Sequence, residues 1–260
     1  MPAANHGPHG EGTATMDGRT FAIDLVRRSH EWAERYVAQE YGRIRARLQA
    51  RGLIEYCRSL MWREYMIGVH VPAKTLALLP DDAQDLKLLL TRQLLEEWKH
   101  SQVFAERVRA LGGDGDLARY TPTPGDWELY YGTYNWSHPV ELVVSLQCTG
   151  EVMITEMFKT LVDPKRLLVD ERTAAVIREQ ILADDAQALD SLVDPETARR
   201  LEEDVIPDEG QHIRYGRVIL ERYAMSAEVQ QMALHVQQRK MAALQVSHGD
   251  LVDRVLAYDA

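Results

Sequence analysis

The chain has little of what builds a disulfide scaffold, a membrane span or a nucleic-acid surface. Its 260 residues include only two cysteines, Cys57 and Cys148. That is too few for a disulfide framework, and without a Cys-x-x-Cys pair a rubredoxin-like electron centre is excluded. No apolar run reaches the roughly 18 residues that a spanning helix needs, so no membrane association is expected. Lysine and arginine form no large cluster, and the net charge is −10. A nucleic-acid partner is therefore not expected, because such binding uses a basic face. The first residues lack the basic-then-apolar pattern of a signal peptide, and a cytoplasmic protein is the expectation. Aromatic residues make up 7% of the chain, and no segment reads as a strand.

What is present is a 45% hydrophobic composition arranged with helical spacing. The reading is all-α. Residues 1–17, rich in Gly, Pro, Ala and His, form a disordered tail, and residues 18–260 form a single helical domain. Helices are expected near Asp17–Ala50, Leu53–Leu79, Asp81–Leu111, Pro139–Val162, Asp170–Val193, Pro195–Tyr223 and Ala227–Val246, with a short one at Asp250–Ala257. Residues 112–137 form a long aromatic-rich connection holding Tyr120, Trp127, Tyr130, Tyr131, Tyr134 and Trp136.

Two short strings carry the chemistry: Glu97-Trp98-Lys99-His100 and Glu209-Gly210-Gln211-His212. Residues three apart share a helix face, so each string points a carboxylate and an imidazole the same way. Two such pairs, joined by one inward Glu from each of two further helices, form the ligand set of a carboxylate-bridged di-metal site in a four-helix bundle. Glu64 and Glu151 are the candidates for the other two. Glu64 lies on the face of Leu53, Cys57, Leu60, Gly68 and Val71, whereas Glu55 lies opposite and reads as solvated. Glu151 lies among Val140, Val144, Cys148, Thr155 and Phe158. A bare carboxylate in an apolar stripe is costly and needs a partner.

Spacing supports the first pair. Glu64 precedes Glu97 by 33 residues, and a hairpin turning near Pro80 sets both at similar heights. The second pair is less determined. Glu151 precedes Glu209 by 58 residues, and if an extra helix spans the bundle between them, their helices run parallel. Glu179, 30 residues before Glu209, and Asp185, on an apolar stripe, are alternatives to Glu151. Pro207, two residues before Glu209, is expected to kink its helix or start a new segment.

With Ile206-Pro207-Asp208-Glu209-Gly210-Gln211-His212-Ile213 and Glu96-Glu97-Trp98-Lys99-His100, the chain resembles the ferritin-like di-iron carboxylate superfamily over roughly residues 53–223. The resemblance implies a ferritin-like four-helix core with extra N-terminal, inserted and C-terminal helices. It implies two Fe ions, or Mn, bridged by Glu97 and Glu209 or by Glu64 and Glu151, with one His on each metal. It also implies that Asp208 holds the His of the opposite motif. The position of the radical Tyr in ribonucleotide reductase small subunits is Phe104 here. The activity implied is O2-dependent oxidation of a small organic substrate, with an external electron donor such as a reductase or ferredoxin. A ferritin-type iron-oxidising protein and a peroxide-handling di-metal enzyme are the alternatives, and a homodimer is left open. Gly68, Gly150 and Gly216 are small residues near the ligands that either leave a substrate cavity or allow close packing.

Overall fold

The computed structural model describes residues 15–41, 48–167 and 190–259. They form an all-α bundle without a strand among the described residues. Helix α1 is Gly18–Tyr41. Helix α2 joins Ala50–Arg63, a π-helical stretch Glu64–Val69 and His70–Leu78. Helix α3 is Gln84–Ala110, and α4 is Pro124–Tyr134. Helix α5 joins Pro139–Ser145, a π-helical stretch Leu146–Gly150 and Glu151–Val162. Helix α6 joins Pro195–Arg200, a π-helical stretch Leu201–Val205 and Ile206–Tyr223, and α7 is Ala227–Asp259.

The helix boundaries follow local chemistry. Asp17 accepts hydrogen bonds from the Thr20 backbone N–H at 3.0 Å and hydroxyl at 2.6 Å, which starts α1. Thr123 and Asp126 form a capping box around Pro124 at the start of α4. Asp194 caps α6 ahead of Pro195. After α3, Gly112 turns the chain with φ of +87°, a conformation that favours glycine. Prolines account for two of the three π-helical stretches. A proline inside a helix clashes with the carbonyl four residues earlier. For Pro72 that residue is Gly68, and for Pro207 it is Glu203; both lie in π-helical stretches that widen the turn. The stretch Leu146–Gly150 has no such proline.

Four helices surround the centre of the bundle. Helix α2 packs on α3, α3 on α6, α6 on α5, and α5 on α2, while α1 covers α5 and α6 and α7 covers α2, α4 and α5. Helices α2 and α3 are antiparallel across the turn at Leu79–Ala83, with the Ser101 hydroxyl donating to the Met61 carbonyl at 2.9 Å. Helices α3 and α6 are antiparallel as well: Arg222 meets Asp85 at one end, and Arg107 meets Asp194 at the other. The Leu192 N–H donates to the Leu161 carbonyl at 2.8 Å. The chain therefore returns beside the end of α5 before α6 begins, and α5 and α6 run antiparallel rather than parallel. Helices α3 and α5 then point the same way, and the connection holding α4 crosses the length of the bundle between them. Leu60, Leu90, Phe104, Val144, Phe158 and Leu220 are buried around this centre, each contributing about 1.5–3 kcal/mol through burial.

Several expectations change. Met16 and Asp17 belong to the packed structure, since Gln230 donates to the Met16 carbonyl at 2.7 Å and Asp17 caps α1; residues 1–14 lie outside the described residues. Helix α1 is described as far as Tyr41, residues 42–47 lie outside the described residues, and Leu48, outside any helix, donates its N–H to the Leu192 carbonyl at 3.0 Å, while Ala50 belongs to α2. The aromatic connection contains a helix, α4. Ala227–Asp259 is one helix without a break near Gly249, whose missing Cβ would meet nothing. The expected helix Asp170–Val193, with Glu179 and Asp185, lies almost entirely outside the described residues; its last part, 190–193, is not helical. No helix among the described residues is long and apolar enough to cross a membrane.

Candidate metal centre

Helices α2, α3, α5 and α6 each direct acidic side chains into the bundle centre. Glu64 comes from α2, Glu97 and His100 from α3, Glu151 from α5, and Glu209 and His212 from α6. All six side chains are buried, Glu97, Glu209 and His212 completely. They form two overlapping groups whose ligand atoms lie within 4.8 Å of one another. One is Glu64, Glu97, His100 and Glu209; the other is Glu97, Glu151, Glu209 and His212. Glu97 and Glu209 belong to both groups, and each group has one histidine. The six residues singled out in the sequence therefore converge, Glu151 among them.

The contacts inside the centre repeat across it. His100 Nδ1 is 3.3 Å from Glu209 and 3.7 Å from Glu97. His212 Nδ1 is 3.1 Å from Glu97 and 3.4 Å from Glu209. The outer nitrogens face acids from the opposite motif. His100 Nε2 lies 3.4 Å from Asp208, within ion-pair reach though not aligned as a hydrogen bond. His212 Nε2 is hydrogen-bonded to Glu96 at 3.1 Å. Asp208 thus faces His100 as the resemblance implied. Its counterpart Glu96 was missed, although its place before Glu97 mirrors that of Asp208 before Glu209. Gln93 was missed too. Its amide donates to Glu97 at 3.0 Å and Glu151 at 3.2 Å, and Gln147 donates to Gln93 at 2.9 Å. Gln93 lies one helical turn before Glu97, which was the available signal.

Electrostatics in the centre are strained. Burial pushes Glu64 well above the usual carboxylate range, helped by the charges of Glu209 and Glu97. Glu151 is raised in the same way and for the same reasons. Burial also pushes Glu97 up, but His212 and His100 outweigh it and hold Glu97 well below its ordinary value. Burial and Glu97 raise Glu209, yet the adjacent imidazoles of His100 and His212 bring it down to about 2. Burial disfavours protonated His100, but Asp208, Glu209 and Glu97 raise it to about 12. Burial also opposes protonation of His212, and Glu97, Glu209 and Glu96 raise it well above the ordinary value.

Whether metal suits these residues is tested by their unsatisfied atoms. Glu64 Oε1, Glu97 Oε2, both ring nitrogens of His100, both oxygens of Glu209 and Nδ1 of His212 are buried without a hydrogen-bond partner. Buried polar atoms are almost always partnered because leaving one bare costs about 1–3 kcal/mol. So many orphans in one spot fit a site whose missing partners are cations. The charge fits as well, since four carboxylates balance two divalent ions. An oxygen-and-imidazole donor set suits iron or manganese, among other divalent metals.

A cavity of about 50 Å³ adjoins Glu64 and Glu151 and is walled by Leu129, Leu146, Met153 and Met157. By volume it holds a few water-sized groups. Gly68 and Gly150 line it, but Gly216 does not. A Cβ at Gly216 would lie 2.4 Å from Gln147 Cβ, so that glycine serves close packing of α6 on α5. A Cβ at Gly68 would lie 2.6 Å from Glu97 Oε2, so that glycine makes room for the carboxylate. Helix α4 supplies Leu129 to the wall. Phe104 is buried against Phe158, and Cys148 is a buried core residue in contact distance of Gly216. Glu55 corrects the expectation of a solvated side chain: it is buried and pairs with Arg254 at 3.0 Å and Arg58 at 3.4 Å.

No family model matches the chain, and no curated protein or solved structure matches it either. What stands is a helical protein with a buried Glu/His cluster that could hold metal.

Proposed function

We propose that the protein is a di-metal oxidase or oxygenase of the ferritin-like type, using O2 to oxidise a small organic substrate at the centre formed by Glu64, Glu97, His100, Glu151, Glu209 and His212. The observation that carries this reading is the overlap of two ligand groups on Glu97 and Glu209. With that overlap, His100 would serve one metal and His212 the other, and Glu97 and Glu209 would be available to both. The single long crossover between α3 and α5 also matches the connectivity of ferritin-like bundles. When bound, an iron pair would supply the electrons that reduce O2.

The chain's own residues set the conditions. Glu96 and Asp208 orient the imidazoles, since such outer partners fix tautomer and ring angle. Gln93 ties Glu97 to Glu151 and so fixes the spacing of two carboxylates on different helices. The apolar wall of Leu129, Leu146, Met153 and Met157 limits water beside Glu64 and Glu151. The chain has no Cys-x-x-Cys centre of its own, so electrons come from an external reductase or ferredoxin in this reading.

The deciding experiment is anaerobic reconstitution with Fe(II), metal analysis, then O2 addition followed by absorbance with and without candidate small organic substrates. The expected result is two metals per chain and an optical change whose decay is faster with substrate. Zero metal in a protein that keeps its helicity would overturn the reading. Uptake of many irons per chain with mineral growth would favour the ferritin-type alternative instead.

A further inference from the structure

Lys240 is a buried cation that the proposed chemistry does not use. It lies on α7 with only 5% of its surface exposed. Its ammonium makes one hydrogen bond among the described residues, to Thr133 Oγ1 at 2.7 Å. An ammonium has three donors, and its burial without a carboxylate partner is costly. The cation is also positioned between two spaces. It lines the inner cavity beside Glu64 and Glu151. It also lines an outer groove of about 280 Å³ between α4 and α7, with Glu128, Gly132, Arg239, Ala243 and Val246. The other cation of the inner cavity, Arg63, is already neutralised by Asp126 at 2.7 Å. Arg239 in the groove lies over the Trp136 ring at 5.2 Å and has no ion pair among the described residues.

The geometry points to Lys240 as the anchor for a short-chain organic carboxylate that arrives through the α4–α7 groove and lays its apolar body into the inner cavity toward Glu151. This rests on the di-metal reading for the chemistry at the far end, though not for binding. Three features favour a carboxylate with an apolar body. Burial lowers Lys240 to about 7, so its amine takes up a single positive charge most readily beside a monoanion, which restores the charged form. The wall beyond it is apolar, formed by Leu146, Met153, Met157 and Leu244, and the flexible methionines adapt to a chain of a few carbons. Arg239 at the outer groove draws anions toward the opening, while Glu128 on the same groove disfavours di-anions. Gly132 leaves open space where any side chain would project, since a Cβ there meets nothing within 4 Å.

The test uses the full chain loaded with Zn(II), which is redox-inert, and two probes of equal length, hexanoate and 1-hexanol. Dissociation constants are measured by ligand-observed NMR for wild type, Lys240→Met and Gly132→Trp. Loss of a hydrogen bond to a charged group corresponds to about a tenfold or greater loss of affinity. Lys240→Met should weaken hexanoate by that factor and leave hexanol nearly unchanged. Removing a buried charge does not threaten the fold, and Lys240→Arg should restore part of the hexanoate affinity. Gly132→Trp should weaken both probes by filling the groove. Equal hexanoate binding by wild type and Lys240→Met overturns the proposal, as does failure of wild type to prefer hexanoate over hexanol. Zinc analysis separates the two readings. Two zinc ions per chain without a Lys240-dependent preference leaves the di-metal reading standing and removes this one. A Lys240-dependent preference without zinc uptake does the reverse.

Discussion

Arg63 and Glu64 are neighbours in sequence, yet they belong to two buried polar assemblies of opposite character. Around Arg63 everything closes. Its guanidinium donates to Asp126 at 2.9 Å and to the Ser247 carbonyl and hydroxyl at 3.0 and 2.9 Å. Asp126 accepts the Thr123 N–H at 2.9 Å, and His248 links Arg63 at 3.4 Å to Tyr41 at 3.1 Å. Burial and Arg63 push His248 down to about 3, so its ring is neutral and its Nδ1 accepts from Arg63. None of these side chains leaves an orphaned atom. Around Glu64 the reverse holds, with orphaned atoms on five of the six clustered residues. A buried network that serves the fold satisfies itself. The Glu/His cluster instead keeps unpartnered donor atoms close together, in groups that could hold a metal.

The sharpest way to break this contrast is Arg63→Ala. It strands Asp126 in the core and should cost about 3–5 kcal/mol, read by chemical denaturation of the metal-free protein. Glu64→Gln, by contrast, should leave metal-free stability unchanged or raised, because burial and the Glu209 and Glu97 charges already disfavour its carboxylate. If both variants destabilise equally, the cluster is structural and the contrast fails.

Metal addition comes next. A divalent ion at about 100 times its dissociation constant should stabilise the wild type by about 2.7 kcal/mol, seen as a raised unfolding midpoint with Fe(II) or Mn(II). Gly68→Ala should lose that gain while keeping the fold of the metal-free protein, because the added methyl displaces the Glu97 carboxylate. A full metal-induced shift in Gly68→Ala would contradict the assignment of Glu97.

The two assemblies should also respond to pH in opposite directions. His100 is raised to about 12, so its contribution in the metal-free protein is complete below about 6.5 and is lost as pH rises toward 12. Asp126 is lowered by Arg63 against the effect of burial. Its contribution is present above its ordinary value and is lost as pH falls through its folded value. Each proton accounts for a slope of about 1.4 kcal/mol per pH unit. Stability curves of His100→Gln and Asp126→Asn against wild type should therefore diverge on the alkaline and acid sides respectively. The smallest expected effect is that of Glu55→Ala, about 1 kcal/mol, because its partners Arg58 and Arg254 reach solvent.

The clustered Glu and His residues were legible because a Glu-x-x-His spacing works on any regular helix and does not depend on how helices are arranged. Glu151 was harder to choose, since that choice turned on the direction of α6, which the Leu161–Leu192 contact sets and no local pattern records. Glu96 and Gln93 were hidden among ordinary polar residues of a long helix; only the facing helix gives them a role. Helix α4 was hidden because Trp127, Tyr130, Tyr131 and Tyr134 give it no clear apolar stripe. The apparent break after Val246 was misleading because Ser247 and His248 are polar for the sake of Arg63, not for a turn. Lys240 carried no signal at all, because a lysine on an amphipathic helix usually faces water.

The π-helical stretches have a consequence for chain length. A π turn holds about one more residue than an α turn, so α2, α5 and α6 each carry a residue that regular winding would omit, close to a clustered acid. Deleting one residue within Leu146–Gly150 should therefore let α5 wind regularly with Glu151 still on the inward face, because the wide turn is what takes up the extra residue. Inserting one more residue there, with the wide turn already filled, would turn Glu151 about 100° relative to the Val140 end of the helix. The place of Glu151 in the centre thus tolerates one residue fewer ahead of it but not one more.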